Sequence, residues 1–93
     1  MDADEYAAIL RDLVANIRTY KDFASFVNAL RYDLEDYPDT WKHTDLASFL
    51  KALQSFAEGM PDYFSRRGEP MPEQPSWQLL GVMFLAAKSC EYN

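Results

Sequence analysis

The sequence predicts an all-α domain of four helices, with a long proline-rich loop ahead of a central C-terminal helix. Three observations predict it. Apolar residues recur at steps of three and four along successive stretches, as one face of a helix requires. No stretch shows the strict alternation expected of a half-buried strand. Glycine and proline gather at a few points and divide the chain into segments.

The first helix is expected over 3–17, where Tyr6, Ile9, Leu10, Leu13, Val14 and Ile17 share a face and Asp4, Glu5, Arg11, Asp12 and Asn16 lie opposite. A second helix follows over 20–37. Thr19 is its expected N-cap, accepting the Asp22 amide, and Asp22 puts a negative charge in the first turn where the helix dipole favours it. Phe23, Phe26, Val27, Leu30, Leu34 and Tyr37 form its apolar stripe, and Pro38 stops it. Pro38, Asp39 and Thr40 turn the chain into a connection that holds Trp41. An indole this large is expected to pack as a lid over the end of the bundle with its N–H paired.

The third helix is expected over 45–58, with Thr44 as its cap and Leu46, Phe49, Leu50, Leu53, Phe56 and Ala57 as its stripe. Gly59 and then Pro61 read as its stop. The stretch 61–75 reads as a loop, with room for a short helical turn between Asp62 and Gly68. Its three prolines at 70, 72 and 75 favour an extended, polyproline-like path. A connection this long either wraps the core or carries function. Ser76 caps the last helix, expected over 76–90, which is apolar nearly all round and therefore central. Gly81 in its middle costs about 1 kcal/mol against alanine, a penalty that suggests another backbone approaching there.

Several of these residues together carry a resemblance. They are Phe23-x-x-Phe26-x-x-x-Leu30-x-x-Asp33, Trp41, Phe49-Leu50-x-Ala52-Leu53, Tyr63, and the stretch Arg67-Gly68-Glu69-Pro70-x-Pro72-x-x-Pro75-Ser76-Trp77. On these the chain resembles an uncharacterised bacterial family of short all-helical proteins, a domain of unknown function. The similarity covers nearly everything beyond residue 20, and the Gly-Glu-Pro to Ser-Trp stretch is its most specific part. The end, Ala86-Ala87-x-x-Cys90-Glu91, departs from that pattern, because Cys90 stands where an aromatic is expected. The resemblance implies a small helical cytosolic domain and assigns no activity.

Composition narrows the function classes. The 93 residues suffice for one domain, and 48% hydrophobic residues supply a core, which excludes a disordered chain. The formal charge is −6, from 9 basic and 15 acidic residues, so an obligate nucleic-acid binder is not expected. No apolar run is long enough for a membrane span, and the residues Met1 to Glu5 are acidic where a signal peptide is basic. Cys90 has no second cysteine to pair with, which fits a reducing cytoplasm.

The residues needed for catalysis are scarce. His43 and Cys90 are the one histidine and one cysteine, and no motif joins them as nucleophile and base. Two such ligands fall short of a structural zinc site. Asp33, Glu35, Asp36 and Asp39 lack the turn glycine of a calcium loop. The three glycines form no phosphate-binding loop. No enzyme, metal or cofactor is therefore expected. Arg66 and Arg67 are expected to neutralise nearby carboxylates or bind loop carbonyls.

One surface signal remains. Carboxylates at the C-terminal end of a helix oppose its dipole, so their presence near residue 36 asks for another reason. Tyr32, Asp33, Asp36, Tyr37, Asp39, Trp41 and Asp45 combine acids, which speed encounter with a basic partner, and aromatics, which supply contact area. The bland alternative is a solvated bundle end whose aromatics turn inward. The expectation is a small acidic protein-binding domain of the immunity or antitoxin kind that occludes a basic protein partner. The alternative is a structural accessory, a homodimer or a homo-oligomeric subunit.

Overall fold

Asp2 opens the first helix of the computed structural model, which describes residues 1–89: its carboxylate accepts the Glu5 amide at 2.8 Å. Helix α1 runs Ala3–Ala15. It ends two residues earlier than expected because the Asn16 amide turns back onto the Leu13 and Val14 carbonyls. Ile17 is still buried, held in the core from the connection that follows.

Helix α2, Tyr20–Asp36, starts with a reciprocal capping box. The Thr19 hydroxyl accepts the Asp22 amide at 3.3 Å, and the Asp22 carboxylate accepts the Thr19 and Arg18 amides at 3.3 and 3.0 Å. Pro38 to Thr40 form one 3-10 turn.

Helix α3, Leu46–Glu58, is capped by Asp45, whose carboxylate accepts the Ser48 amide at 2.9 Å. This corrects Thr44 as the cap and moves the start by one residue. Thr44 and Asp45 are adjacent cap-forming types, and Asp45, extended at φ −94° and ψ 155°, is the one whose side chain accepts a first-turn amide.

The expected 61–75 loop is a larger correction. Gly59 sits at φ −88°, with no left-handed turn, and the chain enters a further helix α4, Met60–Arg66, with Pro61 in its first turn. Gly59 does cap α3 as expected, and Gly68, at φ +69°, follows α4 in the left-handed conformation. Its amide donates to the Ser65 carbonyl at 3.1 Å and the Glu69 amide to the Phe64 carbonyl at 3.0 Å, the paired bonds of a Schellman motif. Residues 69–76 then continue without helix or strand, exposed throughout. The described residues thus hold five α-helices and no strand, against the four helices expected.

The Ser76 hydroxyl accepts the Leu79 amide at 3.0 Å and begins α5, Trp77–Ser89. Helix α5 packs against α1, α2 and α3, which makes it central as its sequence requires. Leu10, Val14, Ile17, Phe26 and Leu30 form the innermost cluster, with Val82, Phe84 and Leu85 of α5 against it. A Cβ on Gly81 would lie 2.5 Å from the Ile17 Cδ1, so it is a side chain that occupies this space, where a backbone was expected. No helix among the described residues is long and apolar enough to cross a membrane.

A ladder of aromatic rings crosses the fold. Trp41 lies 6.2 Å from Phe49, Phe49 5.9 Å from Phe84, Phe84 5.6 Å from Phe23, and Phe23 5.7 Å from Trp77. Such pairs add about 0.5–1.5 kcal/mol each beyond their buried area. They join the end of the bundle near Trp41 to the start of α5.

Candidate functional site

Helical periodicity already separates the residues of α2 near its C-terminus. Residues 27, 30 and 34 lie on one flank, while 29 and 36 lie on the other. The structure follows that division. Tyr6 of α1 donates its hydroxyl to the Ala29 carbonyl at 2.9 Å, and its ring lies 5.8 Å from Tyr37. Tyr37 in turn donates to the Met1 carbonyl at 2.7 Å. Burial, and then the nearby Asp33 and Asp36 carboxylates, raise the Tyr6 phenol above its ordinary value. Asp36 and Tyr37 therefore belong to the side of α2 that faces α1. Tyr32 is 44% exposed on the outer face, with the Arg31 guanidinium 4.5 Å over its ring.

Asp33 is inside. It is 1% exposed, and one oxygen, Oδ2, takes both the Lys88 ammonium of α5 at 2.8 Å and the Trp41 indole N–H at 2.7 Å. This carboxylate is spent within the fold and offers nothing to a partner. It also supplies the reason for an acid near the wrong end of a helix: the Lys88 charge outweighs the dipole. The Lys88 carbonyl accepts the Lys42 and His43 amides at 3.1 and 3.4 Å, so α5 holds both ends of the Trp41 connection. Trp41 is half-buried with its N–H paired, as expected of a lid.

The other flank of α2 forms a groove of about 340 Å³ with the start of α3. Val27, Leu30, Arg31 and Leu34 make one wall, and Asp45, Leu46 and Phe49 the other. Trp41, His43 and Phe84 floor it. Leu46 is 72% exposed and Leu50, one turn along α3, is 52% exposed. Large apolar side chains left this open on a small domain mark a surface suited to contact.

The groove gathers only part of the set expected from the sequence. Trp41 and Asp45 line it; Tyr32 stays on the outer face, Asp36 and Tyr37 face α1, Asp39 is exposed in the 3-10 turn, and Asp33 is buried. Sequence reasoning missed Val27, Leu34, Leu46, Phe49 and Phe84 as site residues, because each also fits a core stripe. The available signal was the width of the α3 stripe, since Leu46, Leu50 and Ala57 extend past the arc one neighbour can cover.

Electrostatics at the groove are modest. The Ser48 backbone amide, and then its hydroxyl, hold the Asp45 carboxyl below its ordinary value of 3.8. Arg31 pairs with Glu35 at 3.3 Å on the surface. A lining of this kind offers shape and apolar area more than charge.

A second depression of about 260 Å³ lies between α4, the proline-rich segment and α5. Its main charges answer each other, for the Arg67 Nε donates to Glu69 at 2.6 Å, as a basic residue here was expected to do. Among the described residues, no group of three His, Cys, Asp or Glu side chains could hold a metal. Cys90, and with it any pairing to His43, lies outside the described residues.

A family model described as a family of unknown function, DUF7660, matches residues 19–91. The chain belongs to this family. No curated protein and no solved structure matches it.

Proposed function

We propose that this member of the family is a non-enzymatic protein-binding domain that acts by occlusion. A single observation carries the reading: the open apolar groove between α2 and α3, with Leu46 in its lining 72% exposed and Leu50, one turn along α3, 52% exposed. Apolar and aromatic side chains in such a place supply most of the energy of a contact. The charge of −6 adds speed and selectivity toward a basic protein without adding much affinity. In its finest form the reading is an immunity- or antitoxin-like protein of the bacterial cytoplasm, covering the working surface of a basic partner.

The test is comparative capture from the protein's own source. Leu46→Asn with Leu50→Asn loses a specific partner that Asp12→Asn, on the exposed face of α1, retains. Asp36→Asn with Asp39→Asn slows association at low salt and leaves the dissociation rate nearly unchanged. A specific partner retained equally by the groove variant sinks the assignment. The same exposed leucines support a second reading, a homo-oligomeric subunit. Sedimentation over a range of concentrations decides it, and a monomer throughout removes it.

A further inference from the structure

We propose that Asp33 and Lys88 are positioning residues for the α2–α3 groove: together they pin the Trp41 indole in one orientation, so that the groove floor is formed before a partner arrives. What the pin serves rests on the reading of the groove as a docking surface; the pin itself does not. Trp41 needs a holder because it belongs to neither wall. It follows the 3-10 turn Pro38–Thr40 and precedes α3, so its backbone has no helical ladder, only the bond of its amide to the Pro38 carbonyl at 3.0 Å. Its ring meets Phe49 at 6.2 Å, but apolar contact is non-directional and admits more than one orientation. A hydrogen bond is directional, and the indole N–H makes one to the Asp33 Oδ2 at 2.7 Å.

Lys88 meets this arrangement from three sides. Its ammonium takes the same Oδ2 at 2.8 Å and lies 5.7 Å from the centre of the Trp41 ring. Its carbonyl accepts the Lys42 and His43 amides at 3.1 and 3.4 Å. Trp41 and His43 are floor residues, as is Phe84, one turn before Lys88 on α5. Holding α2 to α5 does not by itself call for charges, since a well-packed apolar pair of similar volume is often as stable or more so. Such a pair has no oxygen to offer and cannot orient an indole. A buried carboxylate that keeps both of its donors can. A floor fixed in this way spares the cost of ordering it at the moment of binding.

The first measurement uses the unmodified chain. By NMR, the Trp41 indole proton exchanges with solvent at least about ten-fold more slowly than that of the exposed Trp77. Equal rates overturn the proposal. The second measurement takes Trp77→Phe as background, so that emission comes from Trp41 alone. Asp33→Val with Lys88→Met replaces the pair by apolar side chains. That chain stays folded by circular dichroism, while its Trp41 emission shifts to the red and is quenched more by acrylamide. Asp33→Asn with Lys88→Met restores an acceptor at position 33 and returns both readings toward those of the background. Emission and quenching unchanged in the Asp33→Val, Lys88→Met variant overturn the pin, for packing on Phe49 then suffices. Unfolding of that variant overturns it too, because the pair is then a clamp that apolar contact cannot replace. None of these readings involves a partner, so they stand or fall apart from the capture test on Leu46 and Leu50.

Discussion

The Lys88 ammonium and the Asp33 carboxylate lie 2.8 Å apart in the interior, joining the last turn of α5 to the last turns of α2. Their side chains are 11% and 1% exposed. Removing one member leaves the other charge buried alone, which costs about 3–5 kcal/mol, whereas removing both avoids that penalty. Asn at position 33 can still accept the Trp41 N–H. In urea unfolding, Asp33→Asn and Lys88→Met should each be severely destabilised, and the double variant should be more stable than either. Additive losses would show that the two charges do not depend on each other.

Gly59 and Gly68 should respond oppositely to alanine. Gly68 is at φ +69°, where a Cβ is strained even though the space around it is open. Gly68→Ala should cost about 1 kcal/mol. Gly59 is at φ −88°, and its added Cβ would make ordinary contacts of 3.5 and 3.7 Å. Gly59→Ala should be neutral or stabilising by up to about 1 kcal/mol through the unfolded chain. Thermal unfolding of the two variants reads both signs.

At Gly81 the obstacle has one atom as its source. Alanine there meets the Ile17 Cδ1 at 2.5 Å inside the core cluster. Overpacking costs about 1–3 kcal/mol, against about 1 kcal/mol gained in helix propensity, so Gly81→Ala should be destabilising. Ile17→Val removes that methyl. The double variant should therefore be more stable than the sum of the two single losses, and strict additivity in a denaturant cycle would refute the contact.

The Asp45 cap carries a pH dependence of known sign. Its carboxyl is held low because the folded state donates hydrogen bonds to it from Ser48. A group depressed on folding contributes stability that is complete above its unfolded value, near 3.8, and is lost as pH falls through the lower folded value. Asp45→Ser keeps a capping oxygen and removes the titration. Its stability should decline less steeply below about pH 4 than that of the unmodified protein. Parallel acid limbs in the two urea-derived curves would show that the cap does not titrate in this range.

How much of this could be read from the chain depended on whether a feature was local. The Thr19–Asp22 capping pair, the Ser76 cap, the stop at Pro38 and the central place of α5 follow from residues a few positions apart, and all were legible. Helix α4 was not, because Gly59 and Pro61 serve equally to end one helix or to start the next. In the folded chain the Tyr63 ring of α4 lies 5.3 Å from Phe56 of α3, a contact that local spacing does not reveal.

The binding-site reading shows the same boundary more sharply. Composition and spacing alone settled an acidic all-helical domain in which the Trp41 N–H finds a partner. They could not tell which face of α2 each acid would take relative to its neighbours. Tertiary packing withdrew Asp33 to Lys88, a partner 55 positions away, set the exposed Asp36 near Tyr6 of α1, and left Leu46 and Leu50 outside. A stripe states that side chains share a side of a helix. Only the neighbours that arrive decide how much of that side is covered, because burial belongs to the pair of surfaces in contact.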